Sequence, residues 1–101
     1  MSYTLNFKGI DGNFFVTSSS NLKVALAEAA ALAETILYEK RRLGLKLSFQ
    51  SVRVLEEDEG DGLRELYSVY AYIDGHVIVE DNYWKVADLE LSEEIAKLSR
   101  R

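Results

Sequence analysis

Residues 63–86 read LRELYSVYAYIDGHVIVEDNYWKV, two runs rich in Val, Ile and Tyr joined by Asp74-Gly75. An Asp-Gly pair readily adopts the positive-φ conformations of a type I′ turn, so the stretch predicts a β-hairpin whose loop is those two residues. Ile73 then sits opposite His76. The same register sets Tyr72 against Val77, Tyr70 against Val79 and Leu66 against Tyr83 on one face, with Ala71 against Ile78 and Tyr67 against Asn82 on the other. Neither face is plainly polar, and a single helix covers only one. The hairpin therefore predicts a binding or oligomerising surface.

Upstream, residues 56–62 read EEDEGDG, an acidic loop leading into the hairpin. Before it, Leu45, Leu47 and Phe49 alternate in one phase and Val52 and Val54 in the other, so a β-bulge near Gln50 or Ser51 is expected to bring the five onto one face. Residues 17–21 (TSSSN) offer several helix N-caps, and the run from there to Leu43 favours helix. Leu22, Leu26, Ala29, Ala33, Ile36 and Leu43 fall near one stripe, widened by Ala25 and Leu32. Alanines at 25, 29 and 33 let that helix lie close to a sheet. Lys40, Arg41 and Arg42 complement the free carbonyls of the last turn, and Gly44 suits the left-handed residue that ends it.

At the start of the chain, Tyr3, Leu5 and Phe7 alternate with Thr4, Asn6 and Lys8 as in a strand with one buried face. Asp11-Gly12 predicts a second hairpin in which Ile10 faces Asn13, Phe7 meets Val16 on the inner face and Lys8 meets Phe15 on the outer one. Downstream, Asp88 or Ser92 caps a short final helix bearing Leu91, Ile95 and Leu98. Residues 1–101 thus predict one α+β domain of order β-β-α-β-β-β-α: an antiparallel sheet of about five strands, one long helix packed across one face, and a short C-terminal helix. In element order, the part from the long helix onward resembles double-stranded RNA-binding domains, but residues 87–94 read ADLELSEE where that family places lysines. The long-helix placement also resembles cystatin-like folds, without an inhibitory-loop motif. Element order carries no function by itself.

Composition narrows the chemistry. The chain has no cysteine, which removes disulfides, zinc–thiolate sites and thiol nucleophiles. No run approaches the ~20 apolar residues of a membrane span, and the opening MSYTLNFKGI lacks the regions of a secretory signal, so a cytoplasmic location with no membrane partner is expected. With 17 acidic and 12 basic side chains the formal net charge is −5, a field that disfavours direct nucleic-acid binding. His76 is the only histidine and follows a turn; no nucleophile elbow or phosphate loop accompanies it, so neither a catalytic set nor a cofactor is expected.

Three readings remain. In the first, a non-catalytic interaction protein forms a homodimer or docks a protein partner through the aromatic hairpin face, with Tyr70, Tyr72, Val77, Val79 and Tyr83 as the contact residues. In the second, the acidic surface of Glu56, Glu57, Asp58, Glu59 and Asp61 imitates a phosphate backbone and inhibits a nucleic-acid-binding enzyme, in the manner of phage or mobile-element inhibitors. In the third, a small molecule binds between helix and bent sheet, walled by Phe49, Tyr70 and Trp84. The acidic run does not follow the alternation of an EF-hand, so no metal site is assigned to it.

Overall fold

The structure is a computed structural model that describes residues 2–58, 62–81 and 86–87. The elements run β1 (Thr4–Lys8), β2 (Asn13–Thr17), α1 (Leu22–Arg42), β3 (Phe49–Asp58), β4 (Gly62–Tyr72), β5 (Val77–Asp81) and β6 (Val86–Ala87). All paired strands are antiparallel, in the spatial order β2-β1-β3-β4-β5-β6. The expected α+β sheet under one long helix is present, with a two-residue sixth strand in addition. Where a single strand was expected from His76 to about Val86, pairing divides the segment into β5 and β6. The expected C-terminal helix lies outside the described residues, as do Tyr83 and Trp84. Because β2 and β3 both run antiparallel to β1, α1 links two parallel strands and crosses over β1.

Local chemistry defines both ends of α1. The Asn21 side chain accepts a hydrogen bond from the Val24 amide at 3.2 Å, satisfying one of the free first-turn donors. At the other end Gly44 has φ +97, and the amides of Gly44 and Leu45 return to the carbonyls of Arg41 and Lys40, each at 3.0 Å. Those two bonds form a Schellman motif, whose left-handed position favours glycine. Ala25, Leu26, Ala29, Ala30, Ala33, Leu37 and Lys40 make the buried stripe. It is rotated from the expected one, since Leu43 is 58% exposed while Leu37 is fully covered.

This stripe packs on β3 and β4. Facing it are the cross-strand row Val52, Val69 and Val79, each at 0% exposure, and beside it the row Gln50, Ala71 and Val77. Leu5 and Val54, paired across β1 and β3, extend the core toward the N-terminal hairpin.

Both hairpin registers differ from expectation, with opposite consequences. In the first, Lys8 pairs with Asn13 and Phe7 with Phe14, a slip of two residues that leaves every side chain on its expected face. Phe7 meets Phe14 rather than Val16, the rings stacking at 5.6 Å, and Phe15 points outward at 56% exposure. In the second, Ala71 pairs with Val77 and Tyr70 with Ile78, a slip of one. The Tyr72 amide bonds the His76 carbonyl and the Gly75 amide bonds the Tyr72 carbonyl, so the loop holds Ile73, Asp74 and Gly75, with Gly75 at φ +94. This is the three-residue hairpin with its glycine in the left-handed position, not a two-residue type I′ turn. The odd slip exchanges faces: Val77 and Val79 turn toward α1, whereas Tyr70 and Tyr72 turn away from it.

The bulge also lies elsewhere. Val54 pairs with Tyr67 but Leu55 pairs with Glu65, leaving Leu66 as the extra residue on β4. β3 therefore alternates regularly through Gln50 and Ser51, and Phe49 faces away from Val52 and Val54. Leu45 and Leu47 precede the strand.

Two outcomes are expected from this packing. Leu26→Ala should destabilise the protein by about 2–5 kcal/mol in urea denaturation, because it opens a cavity beneath α1. Val24→Ala, on the exposed side of the same turn, should change stability by no more than ~0.5 kcal/mol.

Candidate functional site

Cross-strand pairing on β3, β4 and β5 assembles an aromatic ridge on the sheet face opposite α1. Phe49 pairs with Tyr72, and Ser51 with Tyr70, which in turn pairs with Ile78. The Phe49 ring lies 5.9 Å from Tyr70 and 5.6 Å from Tyr72, and the His76 ring stacks on Tyr72 at 4.3 Å. Phe49 remains 45% exposed, with Tyr70, Tyr72 and Ile78 half-buried around it. Such rings offer wide apolar area together with hydroxyl tips, the surface chemistry favoured at protein interfaces.

Of the five contact residues expected, Tyr70 and Tyr72 are brought together here. Val77 and Val79 are 7% and 0% exposed beneath α1, so they support the core rather than the ridge. Tyr83 lies outside the described residues. Phe49 and Ile78 join the ridge although sequence reading assigned both elsewhere. The signal for Phe49 was its odd phase relative to Val52 and Val54, which an assumed bulge removed.

Beside the ridge, β1 and β3 part. Their pairing covers only Thr4–Leu55, Leu5–Val54 and Asn6–Arg53. Beyond that point a cleft of about 350 Å³ opens, lined by Asn6, Phe7, Lys8, Asn13, Ser51 and Arg53. Asn6, 2% exposed, orients the guanidinium at its rim. Its amide nitrogen donates to Asn13 Oδ1 at 2.9 Å and to the Phe14 carbonyl at 3.0 Å, while its oxygen accepts from Arg53 Nε at 2.9 Å and also from Nη2. Arg53 Nη1 lies 3.7 Å from Glu65. A polar side chain buried this deeply is retained because each of its hydrogen-bonding groups has a partner.

On the opposite face of the same opening, Lys40 reaches down from α1. Its ammonium donates to the Lys8 carbonyl at 2.7 Å and to Gln50 Oε1 at 2.8 Å, while Gln50 Nε2 donates to the Ser51 carbonyl at 3.0 Å. The sequence placed Lys40 with Arg41 and Arg42 as a helix-end cation, yet it is only 9% exposed and no carboxylate neutralises it among the described residues. Burial, reinforced by the nearby Lys8 charge, holds its amine below the ordinary 10.5. Arg41 does act at the helix end, donating to the Leu47 carbonyl at 2.7 Å.

The remaining candidates are local. Glu56 pairs with Arg64 across β3 and β4 at 3.4 Å, and Glu57 is exposed. Asp58 ends β3, while Glu59 and Asp61 lie outside the described residues. His76 Nδ1 contacts Asp74 Oδ1 within the hairpin loop. The Asp74 carboxyl is held below its usual range, chiefly by the His76 main-chain amide at 3.1 Å. Among the described residues no three His, Cys, Asp or Glu side chains gather as a metal site, and no helix is long and apolar enough to cross a membrane.

The Lys40 arrangement has a pH signature. Because the folded chain binds the Lys40 proton less readily than the unfolded chain, stability should rise with pH between the lowered folded value and 10.5. Denaturation of the wild type and Lys40→Met across that window should show the wild type gaining on the variant; a constant difference would contradict an unfavourably buried charge.

Comparison with protein-family models, with curated proteins and with solved structures finds no match to this chain.

Proposed function

We propose that this chain is a non-catalytic association module that docks a protein partner on the ridge of Phe49, Tyr70, Tyr72 and Ile78. The observation that carries the reading is the contact of three aromatic rings on the face opposite the only helix described, with Phe49 still 45% exposed. Packed aromatic clusters with incomplete cover are the usual anchors of protein interfaces, and Tyr and Trp dominate their energetics.

A photo-crosslinking benzoylphenylalanine at position 49 tests the proposal in cells, with the exposed helix residue Tyr38 as the control position. Position 49 should yield a defined protein adduct that position 38 does not, and Tyr70→Glu should reduce it at least tenfold, since an aromatic anchor of this kind carries ~2 kcal/mol or more. No adduct, or the same adduct from position 38, would end the proposal.

The cleft favours a second reading, a site for a small oxyanion. Lys8, Arg53, Ser51 and Asn13 converge on a volume of metabolite size, although on the face away from α1 rather than between helix and sheet. Titration with inorganic phosphate should then shift the Arg53 Nε resonance saturably, and Lys8→Ala should weaken the effect; a linear, non-saturating response argues against it.

A further inference from the structure

We infer that β2 is a pairing edge for a second copy of this chain, joined antiparallel about a twofold axis through Phe15. Among the described residues, β2 is an outer strand of the sheet and is exposed along its whole length. α1 packs chiefly on β3 and β4, so the sheet extends past its cover at this side. Phe14, Phe15 and Val16 remain 43%, 56% and 44% exposed. Strand edges are ordinarily guarded by lysine, proline or a bulge, yet β2 reads NFFVT and has none of these.

Main-chain geometry fixes the register. The Gly9 amide bonds the Gly12 carbonyl and the Ser18 amide bonds the Tyr3 carbonyl, each at 2.8 Å. Bonded pairs alternate along an antiparallel ladder, so Phe7–Phe14 and Leu5–Val16 are the bonded pairs between them. Asn13, Phe15 and Thr17 consequently present their amides and carbonyls to the free edge. Of the twofold-symmetric registers, only the one centred on Phe15 pairs all three: Phe15 with Phe15 of the second copy, and Asn13 with Thr17 of the second copy and the reverse.

That register also suits the side chains. Phe14 lies opposite Val16 of the second copy, on the side of both α1 helices, and the two Phe15 rings meet on the other side. No charge within β2 faces another, and Asp11 falls opposite Ser19 of the second copy rather than a carboxylate. Taking ~200 Å² for a covered phenylalanine, the exposed parts of these three residues in two copies amount to on the order of 500 Å². This is below the ~1,200 Å² of a standard stable interface, so the association is weak and concentration-dependent.

Sedimentation of the full chain from ~10 µM to ~1 mM, together with amide hydrogen exchange over the same range, tests the assignment. The mass should rise from 11.5 kDa toward two copies. The Phe15 and Thr17 amides should become protected as it rises, whereas those of Phe14 and Val16 are protected throughout. Phe15→Lys, which opposes two charges at the axis, should weaken association at least tenfold with unchanged circular dichroism, and Tyr70→Glu should leave it intact. A single-copy mass throughout would overturn the inference. So would a dimer in which the Phe15 and Thr17 amides still exchange freely, or one abolished by Tyr70→Glu but kept by Phe15→Lys; the last result would assign self-association to the aromatic ridge instead.

Discussion

The close seating of an alanine-faced helix on a row of valines is the contact on which the rest of the structure depends. Ala25, Ala29, Ala30 and Ala33 add little length to the underside of α1, so its backbone approaches the sheet closely and leaves room only for small or β-branched residues there. Val52, Val69 and Val79 meet that requirement, with Ala71 and Val77 beside them. Directly beneath those alanines small residues fill the layer and the larger Tyr70 and Tyr72 lie on the opposite face, while Tyr67, paired with Val54, packs against the core from the side. The aromatic ridge is thus the complement of the core: the strand pair that supplies the valines inward delivers the rings outward.

A single loop residue separates this arrangement from its inverse. Side chains alternate across a strand with period two, so an even register error preserves faces and an odd one exchanges them. That parity explains what was legible in the sequence. The helix, its start within residues 17–21, its end at Gly44, the alanine contact and the outward Phe15 were readable because periodicity and capping chemistry are local. The ridge was half-readable: Tyr70 and Tyr72 were identified, but Asp74-Gly75 serves both two-residue and three-residue loops, and only packing against α1 chooses between them. Leu66 as the bulged residue left no local mark, since its strand reads as apolar with or without a bulge.

The parting of β1 and β3 explains the unusual polar groups. A ladder that ends at Asn6–Arg53 leaves the Lys8 carbonyl without its neighbour in the sheet, and Lys40 and Gln50 supply hydrogen-bond donors there from the helix and from β3. Asn6 fills the corresponding position on the other face and turns Arg53 over the cleft. Lys40 and Gln50 thus stand in for missing main-chain pairing, which accounts for a buried lysine whose charge, among the described residues, rests on neutral oxygens. No sequence pattern marks them, because each is defined by a gap between strands remote in the chain.

The passage of α1 over β1 also orders events in folding. Each hairpin closes over a short loop, but the seam of β1 with β3 brings together Asn6 and Arg53, which lie 47 positions apart. The entropy of closing so long a segment is lost before the new contacts repay it, whereas helix and hairpins form within microseconds. Joining of the N-terminal hairpin to the remaining strands, rather than formation of any one element, is therefore the step expected to limit how quickly the native chain is reached.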